Sequence, residues 1–271
     1  MSSEARTPAA RARALARAAR VRWISRRICA DARSRRRLVE LFAAGRFEPP
    51  GEPEPINLKA LGGDPVFIRP GSSDPDVLIG AFDGRYHLPA SDLEPPALVW
   101  DLGTNIGLTI LQMAIAYPDA RFVGVELDSD NLALAERNLE PVRDRVELIE
   151  GAVWTEPGTI AYGTPEGGSE DAFRVSESGG GTATAVPLDE LLERFGPPGY
   201  VKMDIEGAER EVLATNTGWA AEVTQLGVEY HEPYGEAECR AALEALGFNS
   251  FQEQARDLRH RGGDSIFAFR R

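Results

Sequence analysis

The sequence predicts an α/β fold with a mostly parallel central sheet, an antiparallel strand pair at the sheet edge and a helical N-terminal arm. From residue 97 onward, apolar runs of strand length alternate with amphipathic runs of helix length, which is typical of parallel strands joined by helical crossovers. After residue 250, two short apolar runs flank the glycine-containing turn 261–263, which indicates the antiparallel pair. Before residue 47 the chain is rich in Ala and Arg, which favour helix.

The basic arm is expected to be helical over residues 8–46, in two pieces that stop at Gly45. Residues 1–46 carry thirteen Arg and three acidic residues, a net charge of +10, and because the whole chain carries −13 the rest must carry −23. Nucleic-acid binding is one interpretation, but Trp23 is the one aromatic residue among the first forty and no RNA-binding motif accompanies it. We expect instead that the arm packs on the acidic body or against a second copy in a homo-oligomer.

The composition indicates one large globular domain plus this arm. Of the 271 residues 42% are apolar, which is enough for a substantial core. No run approaches eighteen apolar residues and no apolar segment opens the chain, so we expect a cytoplasmic protein without a membrane span. Cys29 and Cys239 lie far apart, which favours free thiols over a disulfide or a zinc site. We place the arm and a Pro-rich linker at residues 1–55 and the main domain at 56–271.

The main domain is expected to begin with a lead-in that has short strands at 56–61 and 65–68 and a short helix at 76–82. A segment rich in Gly, Ser and Glu, 155–181, is expected to shape one side of a functional site, with short strands near 159–162 and 173–175. The other expected elements are parallel strands at 97–101, 121–127, 146–153, 200–204 and 223–230, a further strand at 182–186, helices at 106–117, 129–139, 208–214 and 236–246, one from 187 that ends before 196, and the edge pair at 251–254 and 265–269.

Acidic residues lie at the carboxyl ends of four of the five predicted parallel strands. Because ligands bind at the carboxyl ends of such strands, these side chains belong to one predicted site. They are Asp101, Glu126 with Asp128, Asp204 with Glu206, and Glu229 with His231. Helix capping explains Asp128, and to a lesser extent Glu206, but several carboxylates at one sheet edge repel one another and need partners.

The turn from Asp101 to Gly107 is the predicted cofactor loop. Its two glycines allow close backbone approach, and the helix that follows presents free N–H groups. Glu126 ends the next strand, where a carboxylate can accept both hydroxyls of a ribose. Nicotinamide dinucleotides and S-adenosylmethionine both offer that ribose, but an acid beside the loop repels a pyrophosphate and attracts an ammonium group. Asp101 therefore favours S-adenosylmethionine over a dinucleotide.

Six blocks of sequence follow one another at a characteristic spacing. They are VWDLGTNIG at 99–107, VE at 125–126, GAVW at 151–154, VPLDEL at 186–191, VKMDIEGAE at 201–209 and VEYH at 228–231. In order and spacing these blocks resemble the FkbM-type S-adenosylmethionine-dependent methyltransferases. The similarity covers residues 65–250, and its most specific part is the Lys-x-Asp-x-Glu-Gly-Ala-Glu motif that begins at Lys202.

The resemblance implies a Rossmann-like class I methyltransferase fold and methyl transfer to oxygen, typically to a hydroxyl of a sugar or of a polyketide-type natural product. It also implies a position for each part of S-adenosylmethionine. The implied cofactor-binding residues are Asp101, Gly103, Thr104, Asn105 and Gly107 at the methionine end, Glu126 at the ribose, and Leu127, Asp128, Ala152 and Val153 around the adenine.

An alcohol is a weak nucleophile, so methyl transfer to it benefits from a positioned base. The candidates are His231, Asp204 and Glu206, and His231 has the ordinary pKa nearest neutrality. A role for His231 as a hydrogen-bonding core residue is equally open. In a second mechanism Asp204, Glu206 and Glu229 hold Mg²⁺, which lowers the pKa of the hydroxyl. We expect no obligatory metal.

A simpler interpretation has Lys202 paired with one acid and Glu206 capping the helix after Gly207. Tyr86 is expected near the donor methyl and Trp154 beside the adenine, with core packing an equal alternative for each. The predicted function is methyl transfer to a hydroxyl of a small acceptor, and the negative body disfavours an acidic acceptor. Two alternatives stay open: a nucleic-acid methyltransferase that uses the arm, and a nucleotide-binding module without turnover.

Overall fold

The computed structural model describes residues 8–47, 49–88, 94–163, 174–175, 181–231, 233–254 and 264–270. The chain divides into two units, Met1–Asp83 and Gly84–Arg271. The first unit extends past the arm and linker predicted at 1–55 and takes in the lead-in as well. Over the described residues, no helix has the length and apolar character needed to cross a membrane.

The N-terminal unit begins with two helices, α1 (Pro8–Ile28) and α2 (Ala32–Ala44). Asp31 separates them and caps α2, because its carboxylate accepts a hydrogen bond from the backbone N–H of Ser34 at 2.8 Å. Gly45 follows α2 with a φ of +73°. The predicted pair of helices and the stop at Gly45 are confirmed.

The same unit contains a hairpin of β1 (Glu54–Asn57) and β2 (Pro65–Ile68), followed by α3 (Asp74–Ile79). The strand predicted at 56–61 is shorter than expected because the chain turns into a 3₁₀ helix at Lys59–Leu61. Arg37 donates two hydrogen bonds, each 2.6 Å long, to the Glu54 carboxylate and so ties α2 to the hairpin. This arginine of the arm thus meets an acid of its own unit.

The C-terminal unit is built on a sheet with seven strands among the described residues. Five of them are parallel and two form an antiparallel edge, as the sequence predicts. The strands are β3 (Leu98–Leu102), β4 (Arg121–Glu126), β5 (Val146–Glu150), β10 (Tyr200–Met203), β11 (Gln225–Tyr230), β12 (Ser250–Gln254) and β13 (Asp264–Phe269). Their spatial order is β12-β13-β11-β10-β3-β4-β5.

The strand order reverses between β3 and β10. From β3 the chain proceeds outward to β4 and β5, and it later returns to place β10 and β11 on the other side of β3. Ligand sites of open α/β sheets lie at such switch points, beyond the carboxyl ends of the strands. The cofactor loop after β3 and the segment after β10 therefore share one edge of the sheet.

Helices connect the strands of this unit, and the core lies between helices and sheet. Large side chains such as Trp100, Tyr200 and Trp219 are fully buried there. The helices are α4 (Leu108–Ala116), α5 (Ser129–Asn138), α6 (Leu188–Phe195), α7 (Glu209–Ala214) and α8 (Glu236–Ala245). Each agrees with a predicted helix, with bounds that differ by a few residues at most.

A second, smaller sheet accounts for the segment that interrupts the alternation. Its strands, in the order β6-β9-β7-β8, are β6 (Ala152–Trp154), β9 (Gly181–Pro187), β7 (Thr159–Gly163) and β8 (Arg174–Val175). The single strand predicted at 146–153 is wrong, because the chain leaves the central sheet at Gly151. A Cβ at Gly151 would lie 2.7 Å from the Thr184 carbonyl oxygen, so glycine allows β9 to approach here. Parts of 155–181 lie outside the described residues.

Candidate active site at the switch point

The cofactor loop crosses from β3 to α4 with two glycines at positive φ. Gly103 has a φ of +83°, and a Cβ on it would lie 1.8 Å from the backbone oxygen of Asp204. Gly107 has a φ of +80°, and a Cβ on it would lie 2.9 Å from the side chain of Leu139. The glycines were predicted to allow a ligand close to the backbone. The structure shows that they first admit neighbouring parts of the protein, and Gly103 brings the loops after β3 and β10 into contact.

Glu126, at the end of β4, is joined directly to the cofactor loop. Its Oε2 accepts a hydrogen bond from the N–H of Asn105 at 2.6 Å, and its Oε1 accepts one from the N–H of Asp128 at 2.9 Å. The residue is 7% exposed. Burial raises the pKa of Glu126, while the two N–H groups act in the opposite direction. The predicted ribose-binding carboxylate is thus fixed in orientation beside the loop.

The residues predicted to surround the adenine follow β4 and form β6. Asp128 is the N-cap of α5, with its Oδ1 accepting from the N–H of Asn131 at 2.8 Å, which confirms the helix-cap interpretation for this residue. Ala152 is buried, and Leu127 and Trp154 pack against the small cluster that contains it. Core packing is therefore what the structure shows for Trp154. The contacts of this group with adenine stay a prediction.

Lys202 lies between two carboxylates at the centre of the switch point. Its Nζ is 3.3 Å from Oδ1 of Asp101 and 3.4 Å from Oδ2 of Asp204, and it donates a 2.9 Å hydrogen bond to the Gly103 carbonyl. Burial disfavours the ammonium form, but the charges of Asp101 and Asp204 outweigh it and raise the pKa of Lys202. The simpler interpretation paired Lys202 with one acid; the structure pairs it with two.

Asp101 is fully buried by these contacts. Its other oxygen accepts a hydrogen bond from the Thr109 hydroxyl. The sequence suggested that Asp101 holds a ligand ammonium directly or through water, and a direct contact would require this arrangement to open. The geometry instead makes Asp101 the partner that holds Lys202 beneath the cofactor loop.

A second group of side chains lies on the other side of Lys202. Nε2 of His231 is 3.6 Å from Oδ1 of Asp204 and 3.4 Å from Oε2 of Glu206. One ligand-type atom from each of the three residues lies within 4.8 Å of the other two. All three predicted catalytic residues therefore meet at one point. We call Asp204, Glu206 and His231 the acceptor-side cluster.

Glu209 is the residue that the sequence argument missed. It is fully buried at the first turn of α7, and its Oε1 accepts a hydrogen bond from Nδ1 of His231 at 3.0 Å. The same carboxylate accepts from the N–H of Ile205 at 3.1 Å and from the N–H of Gly207 at 2.9 Å. The prediction that Glu206 caps the helix after Gly207 is therefore wrong: the N-cap of α7 is Ala208, and Glu209 accepts the N–H of Gly207. Glu209 is the last residue of the Lys-x-Asp-x-Glu-Gly-Ala-Glu motif, and its place in that motif is the signal by which the sequence could have identified it.

The loop between β10 and α7 adopts an uncommon backbone conformation to make these bonds. Glu206 has a φ of +54°, a region that non-glycine residues seldom occupy, and Gly207 has a φ of +107°. The hydrogen bonds from Ile205 and Gly207 to Glu209 stabilise this conformation. In this conformation the carboxylate of Glu206 lies beside the imidazole of His231.

His231 is positively charged in this arrangement. Burial alone would lower its pKa, but the hydrogen bond to Glu209 and the charges of Asp204, Glu209 and Glu206 raise the pKa to about 10. At neutral pH the imidazole already carries two protons, so it is not free to accept another. In this state the proton acceptors of the cluster are its carboxylates.

A narrow cleft of about 220 Å³, its open mouth included, runs beside Lys202 and Glu229. Tyr86 lines it, so the residue predicted near the donor methyl does lie beside the charged centre. The next residue, His87, is buried, and its Nε2 is 2.9 Å from Oε1 of Gln112. Burial lowers the pKa of His87 to about 3, so His87 is neutral.

Comparisons with known proteins agree with this geometry. The Methyltransferase FkbM domain model matches residues 101–261, which is more than half of the chain. The hexuronic acid methyltransferase AglP of Haloferax volcanii is 27% identical over 142 residues, which make up 52% of this chain and 58% of AglP. The match therefore spans less than two thirds of that protein.

A crystal structure of the methyltransferase FkbM from Methylobacillus flagellatus KT superposes with a TM-score of 0.51. It is 14% identical and covers 92% of this chain and 58% of that one, so it bears on the fold alone. The fold is that of the Rossmann-like class I methyltransferases. The matched region includes the cofactor loop, Lys202, Glu209 and the acceptor-side cluster, while Tyr86 lies before it. The chain belongs to the FkbM methyltransferase family.

Proposed function

We propose that this protein transfers a methyl group from S-adenosylmethionine to a hydroxyl of a small, sugar-type acceptor. One observation carries the proposal: Lys202 joins the cofactor loop, through Asp101 and the Gly103 carbonyl, to Asp204 of the acceptor-side cluster. A donor half and an acceptor half thus meet at the switch point of the sheet.

The donor half suits the ribose of S-adenosylmethionine. Each Glu126 oxygen accepts one backbone N–H, and the Asn131 side chain also donates to this carboxylate. A carboxylate offers about four lone-pair positions, so one position is left for a ribose hydroxyl. When bound, S-adenosylmethionine supplies an electrophilic methyl group on a sulfonium. Gly103, Thr104, Asn105 and Gly107 are the proposed contacts of the methionine end, with Asp101 acting through Lys202. Leu127, Asp128, Ala152 and Val153 are the proposed surroundings of the adenine.

The acceptor half supplies a place for the proton that the acceptor hydroxyl loses. With His231 already protonated, a carboxylate of Asp204 or Glu206 is the proposed acceptor of that proton. Oδ1 of Asp204 is a buried atom to which no group in the described part of the chain donates a hydrogen bond. A hydroxyl placed there would complete its hydrogen bonding.

A neutral hydroxyl is the proposed acceptor group, on a sugar-type molecule. The name of AglP states that this relative methylates a hexuronic acid, which supports a sugar-type acceptor. Carboxylates of Asp204, Glu206 and Glu229 face the same edge of the sheet in this chain, and like charges repel. An acceptor carboxylate is therefore disfavoured. A polyketide-type hydroxyl is the alternative within the same chemistry.

Transfer of a labelled methyl group tests the proposal. The protein would be incubated with methyl-labelled S-adenosylmethionine and with matched pairs of neutral hexosides and hexuronides, and the products analysed by mass spectrometry and NMR. We expect O-methyl ethers from neutral glycosides. Label found only in methyl esters, or in nucleic acid, would contradict the proposed acceptor, and donor binding without any product would favour a nucleotide-binding module.

A further inference from the structure

We propose that Asp204, Glu206 and His231 form a binding site for one divalent transition-metal cation, such as Mn²⁺. The sequence alone pointed to Asp204, Glu206 and Glu229 as ligands, to Mg²⁺ as the ion, and to no obligatory metal. The three-dimensional arrangement replaces Glu229 by a histidine. The place of the ion beside the acceptor hydroxyl rests on the proposed function, whereas the binding of the ion does not.

The distances in the cluster fit a shared ion. Ligand atoms bound about 2.1 Å from one metal lie about 3.0 Å apart at neighbouring octahedral positions and about 3.4 Å apart in a tetrahedron. Nε2 of His231 lies 3.4 Å from Oε2 of Glu206 and 3.6 Å from Oδ1 of Asp204. The ligand atoms of Asp204 and Glu206 lie within 4.8 Å of one another, so the two carboxylates would draw together around a shared ion.

The histidine is held in the orientation that metal-binding histidines adopt. Such histidines donate the N–H of the ring nitrogen that is not a ligand to a carboxylate, which fixes both the tautomer and the direction of the other nitrogen. Here Nδ1 of His231 is bonded to the fully buried carboxylate of Glu209, and Nε2 points to Asp204 and Glu206. A bound cation would replace the proton that Nε2 carries in its absence, and that proton would pass to solvent. Glu209 lies behind the imidazole, away from the three candidate ligand atoms, and is the proposed positioning residue of the site.

An oxygen without a hydrogen-bond donor faces the same point. Oδ1 of Asp204 is buried, and none of the described residues donates a hydrogen bond to it. The other oxygen, Oδ2, faces Lys202. Lys202 therefore fixes the carboxylate while Oδ1 stays directed at Nε2 of His231. A cation is one group that would satisfy this oxygen.

The donor set indicates the kind of ion. Mg²⁺ and Ca²⁺ prefer sites made of oxygen atoms, whereas an imidazole nitrogen together with carboxylates suits Mn²⁺, Co²⁺ or Zn²⁺. Three ligands on two loops leave positions open on the ion for water or for an acceptor hydroxyl. A hydroxyl bound there would have a lowered pKa.

Direct titration with Mn²⁺ tests the site without any acceptor or donor. Electron paramagnetic resonance and isothermal titration calorimetry would count the ions bound by the full-length protein after chelation. We expect one ion per chain, with an affinity at least tenfold weaker in Asp204→Asn and in His231→Gln. Glu211→Gln, which changes an exposed carboxylate of α7 outside the cluster, is the matched control and should bind as the wild type does.

Glu209→Gln separates positioning from ligation. It leaves all three ligands in place, and loss of an outer-shell carboxylate weakens metal sites by about 10- to 100-fold. Each variant should keep its thermal shift with S-adenosylhomocysteine, which shows that it is folded. Absence of stoichiometric Mn²⁺ binding, or equal binding by wild type and His231→Gln, would overturn the metal site. Methyl transfer without Mn²⁺ binding would contradict the metal site and leave the proposed function standing. Mn²⁺ binding without methyl transfer would support the metal site and contradict the proposed function.

Discussion

Lys202 and Asp101 are cross-strand neighbours on β10 and β3, and their charged groups meet 3.3 Å apart inside the protein. The side chain of Lys202 is 7% exposed and that of Asp101 is fully buried. The pair therefore links two loops that the chain separates by a hundred residues. It also makes each partner dependent on the other, because an isolated buried charge is strongly disfavoured.

Replacing Lys202 by methionine should destabilise the protein by about 3–5 kcal/mol, because a buried carboxylate loses its partner. The measurement is the free energy of unfolding in urea at pH 7. The double variant Lys202→Met with Asp101→Asn should be less destabilised than the sum of the single variants. Arg143→Met, which removes an exposed ion pair with Glu140 in the same unit, is the control and should change stability by less than about 1 kcal/mol.

Gly103→Ala should both destabilise the protein and abolish binding of S-adenosylhomocysteine. The added Cβ would overlap the Asp204 carbonyl, and alanine resists the positive φ, so we expect a loss of at least about 2 kcal/mol. Gly196→Ala is the matched control, since Gly196 has the same φ of +83° with no atom near its Cβ position. Thermal denaturation with and without the ligand measures both effects. Equal behaviour of the two variants would contradict the close approach of the loops.

Glu126→Ala should weaken binding of S-adenosylhomocysteine by about 10- to 100-fold, the usual effect of losing charge-assisted hydrogen bonds. Isothermal titration calorimetry measures this directly. Glu150→Ala changes an exposed carboxylate in register on the neighbouring strand and should bind as the wild type does. Unchanged affinity in Glu126→Ala would remove Glu126 from the donor site.

His231→Ala should slow methyl transfer by about 100-fold, the usual effect of removing a charged group that is positioned at the reacting centre. Its affinity for S-adenosylhomocysteine should stay within about twofold of the wild type, because the residue lies in the acceptor half. Single-turnover kinetics with saturating donor separates the two quantities. Full activity in this variant would make His231 a structural residue only.

The buried His87 predicts how stability depends on pH. Its pKa is about 3 in the folded chain against about 6.5 when unfolded, so between these values only the unfolded state takes up the proton. Stability should therefore fall as the pH drops below about 6.5. In His87→Gln the loss of unfolding free energy between pH 7 and pH 5 should be smaller than in the wild type by about 2 kcal/mol. Parallel pH profiles would contradict a neutral, buried His87.

The alternation of strand and helix patterns was enough to predict the five parallel strands and the antiparallel edge. The spacing of apolar residues shows which side chains are buried, and in this fold the buried side chains are those that face the core between the sheet and the helices. It did not predict the break at Gly151, because the reason for it is the distant β9 and not the local sequence. The strand therefore looked continuous.

Acidic residues at strand ends were enough to predict that Asp204, Glu206 and His231 meet. Spacing could not show which carboxylate of the motif turns inward, so the role of Glu209 was missed. The charge state of His231 was also out of reach, since it depends on three acids that the fold assembles. Likewise, the cross-strand register that brings Asp101 to Lys202 appears only when β10 is placed beside β3.

The central claim is that the site built around Glu126 and the cofactor loop binds S-adenosylmethionine. Its most direct test is the stability of the full-length protein with S-adenosylhomocysteine compared with NAD at the same concentration. At a hundred times its dissociation constant, S-adenosylhomocysteine should stabilise the wild type by about 2.7 kcal/mol, and NAD should have no effect. No stabilisation by S-adenosylhomocysteine, or equal stabilisation by NAD, would contradict the account.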